Sequence, residues 1–153
     1  MTPEDWPAVR RIFRDGIASR IATFETEPPS WEAFDADRLA EHRLVATENG
    51  GVVGWATVSP TSPRACYAGV VESSVYVAAA ARGRGIGRAL MEALLAIADT
   101  RGVWMVQAAM FPENAASVAL HEKLGFRVVG RRERIAQLDG VWRDTILLEL
   151  RAS

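Results

Sequence analysis

The densest chemical signal in this sequence is a run of glycines and arginines between a predicted strand and a predicted helix, formed by Arg82, Gly83, Arg84, Gly85, Ile86, Gly87 and Arg88. The glycines let the backbone approach a ligand closely and adopt torsion angles that other residues rarely adopt. The first turn of the following helix presents unpaired N–H groups and the positive end of the helix dipole, which favours an anion there. The three arginines add positive charge for phosphate oxygens. The run therefore predicts a loop that binds a pyrophosphate group.

Two common nucleotide-binding loops do not fit this run. A dinucleotide-binding fingerprint that starts at Gly83 needs glycine or alanine where the chain has Arg88, and it needs an acidic residue about 20 residues later. The strand predicted after the helix supplies no such acid. A P-loop needs lysine and then serine or threonine after its last glycine, and the run contains no lysine. The spacing Arg82-x-x-Gly85-x-Gly87 belongs to neither class.

Glu72 is the second candidate for chemistry, because it is the one acidic residue in the otherwise uncharged, valine-rich segment Val70–Val77. A carboxylate within reach of an amine, directly or through one water molecule, can accept the proton that the amine must lose before it attacks a carbonyl carbon. Burying a carboxylate within a strand is costly unless the carboxylate has partners, so this position indicates a functional role. The alternative is that Glu72 lies on the solvated face of an edge strand.

Helical and strand patterns predict the framework that positions these residues. Apolar residues at helical spacing predict four helices, at about residues 2–19, 30–41, 85–99 and 114–124. Strand patterns occur at 44–47, 52–58, 67–77, 103–109, 127–136 and 142–150, with a loop at 59–63. Residues that tolerate positive φ predict hairpin turns at 48–51 and 139–140. This order predicts an α/β fold with a mixed, mostly antiparallel sheet flanked by helices.

The composition restricts the class of protein. The 153 residues are predicted to form a single domain, residues 1–153, and the net charge of −1 provides no basic field for nucleic acid or an anionic membrane. The single cysteine, Cys66, excludes an intramolecular disulfide, and His42 and His121 lack ligand spacing, so no metal is expected. No apolar run approaches the roughly 18 residues of a membrane span, and no signal-peptide pattern follows Met1. A cytoplasmic location is therefore expected.

Two motifs in the chain resemble those of the GNAT superfamily of N-acetyltransferases. The spacing Arg82-x-x-Gly85-x-Gly87 is similar to the pyrophosphate loop of that superfamily. The downstream segment with Asn114, Ser117 and His121, followed by Gly125-Phe126, is similar to its next helix. The resemblance implies the acyl-CoA N-acyltransferase fold and acetyl-CoA as the co-substrate.

The same resemblance assigns residues to the cofactor. It implies that Asn114 and Ser117 lie near the pantetheine and phosphate arm of acetyl-CoA. It also implies that Val75, Tyr76 and Val77 bind this arm and that a backbone N–H of their strand binds the acetyl carbonyl oxygen. The cofactor is therefore expected between a strand and the two helices that follow it.

Further motifs are spread over almost the whole chain, namely Phe24-x-Thr26-Glu27-Pro28, Arg64, Tyr67, Val71–Val77, Leu120–Phe126 and Gly140-x-Trp142-x-Asp144. Together they resemble the phosphinothricin and methionine sulfoximine acetyltransferases. The resemblance implies direct transfer of acetyl from acetyl-CoA to the amino group of a small amino-acid-like acceptor of the phosphinothricin, methionine sulfoximine or methionine sulfone type. It also implies a homodimer. Two alternatives remain open: an acetyltransferase for a different small amine, and an inactive acyl-CoA-binding sensor module.

The resemblance assigns Phe24, Arg64, Tyr67 and Glu72 to the acceptor site. Arg64 would pair bidentately with an acceptor carboxylate or phosphinate, and the alternative is a solvated loop arginine. The loop at 59–63 lacks the tryptophan that relatives carry there. The acceptor is therefore the part of the function that these motifs specify least.

His121 occupies the position at which many members of the superfamily have tyrosine. By resemblance it protonates the leaving thiolate or orders a water molecule, and the alternative is a histidine that packs or bonds a backbone carbonyl. The family usually has a short strand before the segment matched by residues 2–5, and this sequence has none there. This absence predicts either a sheet that lacks the family's first strand or a match to the family that starts at a different residue. The basic run with Arg131, Arg132 and Arg134 is interpreted as a solvated strand face.

Overall fold

Six strands and four α-helices make up the computed structural model, which describes residues 1–152. The helices are α1 (Trp6–Ala18), α2 (Trp31–Asp37), α3 (Ile86–Thr100) and α4 (Ala115–Lys123). The strands are β1 (Arg43–Glu48), β2 (Gly51–Pro60), β3 (Val70–Val77), β4 (Met105–Met110), β5 (Arg127–Leu138) and β6 (Val141–Arg151). Every predicted helix and strand is present, and most ends lie within two residues of the prediction.

All six strands form one sheet in the order β1-β2-β3-β4-β6-β5. Each neighbouring pair is antiparallel except β3 and β4, which run parallel. The predicted fold class, an α/β fold with a mixed and mostly antiparallel sheet, is therefore confirmed. Within residues 1–152 no strand precedes α1, because Pro3–Asp5 form a 3₁₀ turn that leads directly into the helix.

The sheet separates two hydrophobic clusters, because alternate side chains of each strand point to opposite faces. On one face α1 and α2 pack against Trp55 of β2, with Phe13 and Phe34 buried beside it. On the other face α3 and α4 cover a larger cluster that includes Val71 of β3 and Leu148 of β6. Helices therefore cover both faces of the sheet.

The two hairpin turns have the predicted backbone conformation. Asn49 and Gly50 have φ of +52° and +80°, and Asp139 and Gly140 have φ of +52° and +78°. Two consecutive residues with positive φ match the twist of antiparallel strands, which explains why these residue types occur there. Both predicted turns are confirmed.

Helix α2 ends at Asp37 and not at the predicted residue 41. Arg38 has extended torsion angles, and the N–H of Leu39 donates to the carbonyl of Val58 in β2 at 3.0 Å. This bond to the sheet replaces a continued helical bond. The prediction of a longer helix was wrong because the apolar pattern does not register a contact with a strand that comes later in the chain.

The strand predicted to begin at residue 67 begins at Val70, because residues 65–67 form a 3₁₀ turn in which the N–H of Tyr67 donates to the carbonyl of Arg64 at 3.0 Å. Strand β2 continues through Pro60, into the segment predicted as a loop, because it still pairs with β3 there. Both differences lie where the chain crosses from β2 to β3. The crossing, at residues 61–69, therefore lies two to three residues later in the chain than the sequence indicates.

Strands β3 and β4 diverge after a short parallel ladder. The ladder has three residue pairs, from Val70 opposite Met105 to Glu72 opposite Gln107. Beyond it, β3 continues to Val77 without a partner on the β4 side. The sheet thus opens at the carboxyl ends of these two strands, where α3 and α4 follow them in the chain. A gap of this kind is a common ligand site in α/β proteins.

Candidate active site

Two adjoining cavities occupy the cleft between β3 and β4. The larger, of about 370 Å³, has Glu72 in its wall, and the smaller, of about 90 Å³, has Asn114, Ser117 and His121. The residues that line both are Ala22, Ser73, Ser74, Tyr76, Ala109 and Met110. One shared wall therefore connects the predicted base with the predicted cofactor residues.

Glu72 lies at the point where β3 and β4 separate. Its Oε1 accepts a hydrogen bond of 3.2 Å from Nε2 of Gln107, the residue opposite it in the ladder. The side chain is half-buried and forms no ion pair with a cation of residues 1–152. Because β3 pairs with both β2 and β4, the edge-strand alternative is wrong. The carboxylate is therefore available to a ligand in the larger cavity.

Arg38 is a half-buried cation behind Ser74 that no sequence pattern indicates. Its Nη1 donates to Oγ1 of Thr57 and to Oγ of Ser74, both at 2.9 Å, and its guanidinium carbon lies 4.9 Å from the ring centroid of Phe34. Burial lowers the pKa of Arg38, and nearby carboxylates act in the opposite direction. Arg38 therefore places a positive charge beneath the strand that carries Glu72.

Tyr76 belongs to the wall of both cavities and is held by a cluster of aromatic rings. Its ring centroid lies 4.7 Å from that of Trp55, with 13° between the planes, and 5.1 Å from that of Phe13. Burial raises the pKa of the phenol, so it stays protonated at neutral pH. Gly16 of α1 comes so close that a Cβ there would lie 2.6 Å from Cε2 of Tyr76. Helix α1 therefore helps to fix the shape of the cleft.

The run predicted to bind pyrophosphate forms the turn between β3 and α3. Gly83 and Gly85 have φ of +77° and +79°, a region that favours glycine. Gly85 is the N-cap of α3, and no side chain caps the helix there. A Cβ at either glycine would meet no atom within 4 Å, so the space around both glycines is open. These features fit a pyrophosphate group.

The three arginines of this run bond to the protein itself. Arg84 pairs with Glu48 at 2.8 Å, Arg88 pairs with Glu92 at 2.7 Å, and Nε of Arg82 donates to a backbone carbonyl of β3 at 3.3 Å. Exposed ion pairs of this kind contribute only about 0–1 kcal/mol, so a phosphate can compete with the carboxylates. The role of these arginines as phosphate ligands stays a prediction.

Asn114 and Ser117 lie together at the start of α4. Asn114 is the N-cap of this helix, and its Oδ1 accepts a hydrogen bond of 3.3 Å from the N–H of Ser117. Both residues line the smaller cavity together with Val75 of β3. Helix α3 begins close to the end of β3, since a Cβ on Gly87 would lie 3.6 Å from Cγ2 of Val77. The structure thus brings the predicted cofactor segments to one cleft.

His121 lies in the wall of the smaller cavity and is 3% exposed. Its Nδ1 is 2.7 Å from the carbonyl oxygen of Ser117, and its ring meets Phe126 edge to face at 5.0 Å. Burial lowers the pKa of His121, so the imidazole is neutral at pH 7. Because a carbonyl only accepts, Nδ1 carries the proton and Nε2 is an acceptor. This tautomer favours ordering of a water molecule over donation of a proton to a thiolate.

Stability should fall as the pH decreases from about 7.5 to about 5.5, because two buried histidines resist protonation. Burial lowers the pKa of His42 as well as that of His121, whereas unfolded histidine has a pKa of about 6.5. The unfolded chain therefore binds protons first, which costs up to about 1.4 kcal/mol per histidine over this range. Denaturant unfolding at both pH values measures the loss, and His121→Gln should reduce it by about half. Equal stability at both pH values would contradict the burial of neutral imidazoles.

Among the predicted acceptor residues, Phe24 and Glu72 line the larger cavity, whereas Arg64 and Tyr67 are not in its wall. Phe24 meets Phe111 edge to face at 4.8 Å. The guanidinium carbon of Arg64 lies 5.6 Å from the ring centroid of Tyr67, which is 46% exposed. Both residues stand at the turn before β3, so their contact with an acceptor stays a prediction.

The hairpin of β5 and β6 contributes residues to the larger cavity that the sequence motifs do not mark, namely Arg132, Ile135, Ala136 and Thr145. Arg132 is exposed, as the interpretation of a solvated strand face requires, but it also lines this cavity. Strand periodicity alone does not reveal this, because the register of β5 and β6 shifts between Arg132 and Ala136.

Cys66 is exposed on the turn before β3 and lines neither cavity. Among residues 1–152, no three His, Cys, Asp or Glu side chains are grouped as metal ligands would be. None of the helices in the described part of the chain is long and apolar enough to cross a membrane.

Several named acetyltransferases are similar in sequence to this chain over most of its length. Residues 6–126 match the Acetyltransferase (GNAT) family. The L-methionine sulfoximine/L-methionine sulfone acetyltransferase of Pseudomonas paraeruginosa is 34% identical, and the alignment covers 95% of this chain and 88% of the relative. The phosphinothricin N-acetyltransferase of Alcaligenes faecalis is 32% identical, and the alignment covers 95% of this chain and 77% of the relative.

A solved structure shares the fold. The GNAT superfamily phosphinothricin acetyltransferase from Sinorhizobium meliloti, in complex with acetyl-CoA, superposes with a TM-score of 0.90 at 28% identity, covering 100% of this chain and 86% of that chain. The resemblance expected from the motifs is therefore confirmed. The chain belongs to the GNAT acetyltransferase family and is an acetyl-CoA-dependent N-acetyltransferase.

Proposed function

We propose that the protein transfers the acetyl group of acetyl-CoA directly to the amino group of a small amino-acid-like acceptor of the phosphinothricin, methionine sulfoximine or methionine sulfone type. The observation that carries this proposal is Glu72, a half-buried carboxylate in the wall of a cavity of about 370 Å³. A cavity of this volume suits a small molecule. The relatives named for methionine sulfoximine and phosphinothricin, at 34% and 32% identity, support the same acceptor class.

The cleft residues fit acetyl-CoA, which supplies an acetyl group activated as a thioester. The glycine and arginine run at 82–88 would hold the pyrophosphate at the uncapped N-terminus of α3. The edge of β3 at residues 75–77, which has no β4 partner, would hydrogen-bond the pantetheine arm beside Asn114 and Ser117. None of the residues that line the smaller cavity, where the pantetheine arm would lie, belongs to the β5–β6 hairpin.

Glu72 would accept the proton of the acceptor's ammonium group, directly or through one water molecule. An ammonium nitrogen has no lone pair, so the amine cannot attack a carbonyl carbon until this proton is removed. The negative charge of the carboxylate also attracts the cationic acceptor into the cavity. Gln107 holds one carboxylate oxygen at 3.2 Å and so orients the group.

Backbone and histidine groups would assist on the cofactor side. A backbone N–H of β3 within residues 75–77 would donate to the acetyl carbonyl oxygen. The departing thiolate would take the proton that the attacking nitrogen loses as the amide forms. Through Nε2, His121 would accept a hydrogen bond from the resulting CoA thiol or from a water molecule, since its Nδ1 is engaged by Ser117. His121 is then a positioning residue whose neutral form is the active one.

Incubation with acetyl-CoA and a panel of amines tests this proposal through the release of free CoA thiol. We expect turnover of phosphinothricin, methionine sulfoximine and methionine sulfone, with kcat/KM at least about tenfold lower for polyamines and antibiotic amines. Turnover confined to polyamines or antibiotic amines would contradict the proposed acceptor class and support the proposed acetyl transfer. Tight binding of acetyl-CoA without turnover of any amine would contradict the proposal and favour an inactive sensor module.

A further inference from the structure

Strand β5 carries a bulge beside the larger cavity. Arg132 lies opposite Thr145 and Ala136 opposite Arg143, so four steps along β5 face two steps along β6. Within the bulge, Arg134 has a φ of +48°, in the left-handed region that arginine rarely adopts. A conformation of this kind persists only where surrounding contacts hold it.

Asp144 of β6 holds the bulge with both carboxylate oxygens. Oδ1 accepts a hydrogen bond from the backbone N–H of Arg134 at 2.8 Å, and Oδ2 accepts bonds from Nε and Nη2 of Arg131 at 2.8 and 2.7 Å. These bonds hold the pKa of Asp144 below its usual range, so the carboxylate is ionised at neutral pH. The backbone that follows Arg132 is therefore fixed by an ionic contact.

Arg132 is the arginine of this hairpin that lines the larger cavity. Three other arginines of the hairpin form ion pairs with acidic side chains, namely Arg127, Arg131 and Arg143. Arg132 forms no ion pair with any acidic side chain of residues 1–152. Its charge is therefore available to a ligand in the cavity.

Thr145, directly opposite Arg132, supplies a second polar group. It lines the same cavity, it is 6% exposed, and its Oγ1 has no hydrogen-bond partner within residues 1–152. A buried hydroxyl without a partner costs free energy, and a ligand or water molecule that bonds to it removes this cost. Opposed residues of an antiparallel pair place their side chains on the same face of the sheet. One bound group can therefore contact both residues.

We propose that Arg132 and Thr145 bind the carboxylate of the acceptor and so select amines that also carry an acid. This inference rests on the proposed function, because it concerns the acceptor of the same cavity. Glu72 lines that cavity too, and no ion pair joins it to Arg132. The cavity thus has a negative charge in one part of its wall and a positive charge in another. An amino acid matches this pattern, with its ammonium group at Glu72 and its carboxylate at Arg132.

Methionine sulfone and its carboxamide test the inference, because they share the amine and the side chain and differ in the carboxylate. Arg132→Met removes the guanidinium and keeps a long side chain, and Arg132→Lys keeps the charge. Thr145→Val removes the hydroxyl and keeps the shape of the side chain. Arg11→Met, which removes an equal charge from an exposed residue of α1 that lines neither cavity, is the matched control.

For methionine sulfone we expect Arg132→Met to raise KM and to lower kcat/KM by about 10- to 100-fold, the effect of losing charge-assisted hydrogen bonds. The kcat should change little, because Glu72 and the amine are untouched. Arg132→Lys should retain part of the kcat/KM that Arg132→Met loses. Thr145→Val should lower kcat/KM by about 3- to 10-fold. On the carboxamide each variant should stay within about threefold of wild type, and Arg11→Met should match wild type on both acceptors.

Titration of both acceptors against the protein saturated with free CoA separates this inference from the proposed function. Binding of methionine sulfone that depends on Arg132, without turnover, would overturn the proposed function and support the inference. Equal turnover of acid and carboxamide by the wild type would overturn the inference and leave the proposed chemistry intact. An equal loss on both acceptors in Arg132→Met, or no loss on either, would also overturn it.

Discussion

Glu72→Gln is expected to lower kcat/KM for acetylation of a small amino acid by about 100- to 1,000-fold near neutral pH, the effect of losing a general base. Glutamine keeps the shape of the side chain, and its amide oxygen can still accept the hydrogen bond that Gln107 donates to Glu72. It carries no charge and accepts no proton under these conditions. The KM for acetyl-CoA should change little, because the proposed cofactor residues, at 75–77 of β3 and at the starts of α3 and α4, do not include Glu72.

The difference in rate between Glu72→Gln and the wild type should become smaller as the pH rises, because an amine that is already neutral needs no base. Rates of thiol release from near-neutral to alkaline pH measure this change. Glu122→Gln makes the same substitution at an exposed position of α4 and should retain the wild-type rate at every pH. It therefore controls for the loss of one carboxylate from the protein.

Two outcomes would remove Glu72 from the role of base. One is a pH–rate profile that the substitution leaves unchanged. The other is a loss of activity that is the same at every pH and accompanies a lower free energy of unfolding, which would indicate a structural contribution. A deficit that is largest near neutral pH in a protein of wild-type stability is the result that only proton removal explains.

The local structure of the proposed cofactor segments could be predicted from the sequence because its signals are local. Gly85, with φ of +79°, begins α3, and Asn114 caps α4 through the N–H of Ser117. Gly125, with φ of +96°, follows the end of α4, as its residue type indicates. Each of these roles is decided by residues within about one helical turn, so a motif in one segment is sufficient to identify it.

The acceptor side could be predicted only in part, because contacts between distant segments decide it. Glu72 is visible in the sequence as an acid in a strand, but its access to a ligand depends on the β3–β4 ladder ending at this residue. Arg38 reaches the site because Thr57 and Ser74 are partners in the β2–β3 ladder. No local pattern records either pairing.

Because of the bulge in β5, no local pattern in the sequence places Arg132 in the cavity wall either. A strand pattern with a period of two assigns faces on the assumption of an unbroken ladder. Two extra steps between Arg132 and Ala136 break that assumption and bring Ile135 into the cavity wall as well. The contact of Asp144 with the N–H of Arg134 shows why the bulge forms there, and it joins two strands that no motif connects.

Gly16→Val is expected to lower the free energy of unfolding by about 3 kcal/mol, at the upper end of the range for overpacked cores. Helix propensity alone favours a substitution here, because glycine inside a helix costs about 1 kcal/mol relative to alanine. The packing decides against it. A Cβ at this position would lie 2.6 and 2.7 Å from two ring atoms of Tyr76, whose ring is held 4.7 Å from Trp55 and 5.1 Å from Phe13. The ring has to shift, and the cost of that shift exceeds the gain in propensity.

The shift should also lower the activity of the protein that remains folded, because Tyr76 lines both cavities. Ala18→Val introduces the same side chain at an exposed position of α1 and should cost less than about 1 kcal/mol in denaturant unfolding. In the double variant with Gly16→Val and Tyr76→Leu the smaller side chain relieves the clash, so the cost should be less than the sum of the two single costs. Additive costs would show that Tyr76 does not constrain Gly16. A shortfall from additivity would mean that this glycine is required by the wall of the active site and not by the helix that contains it.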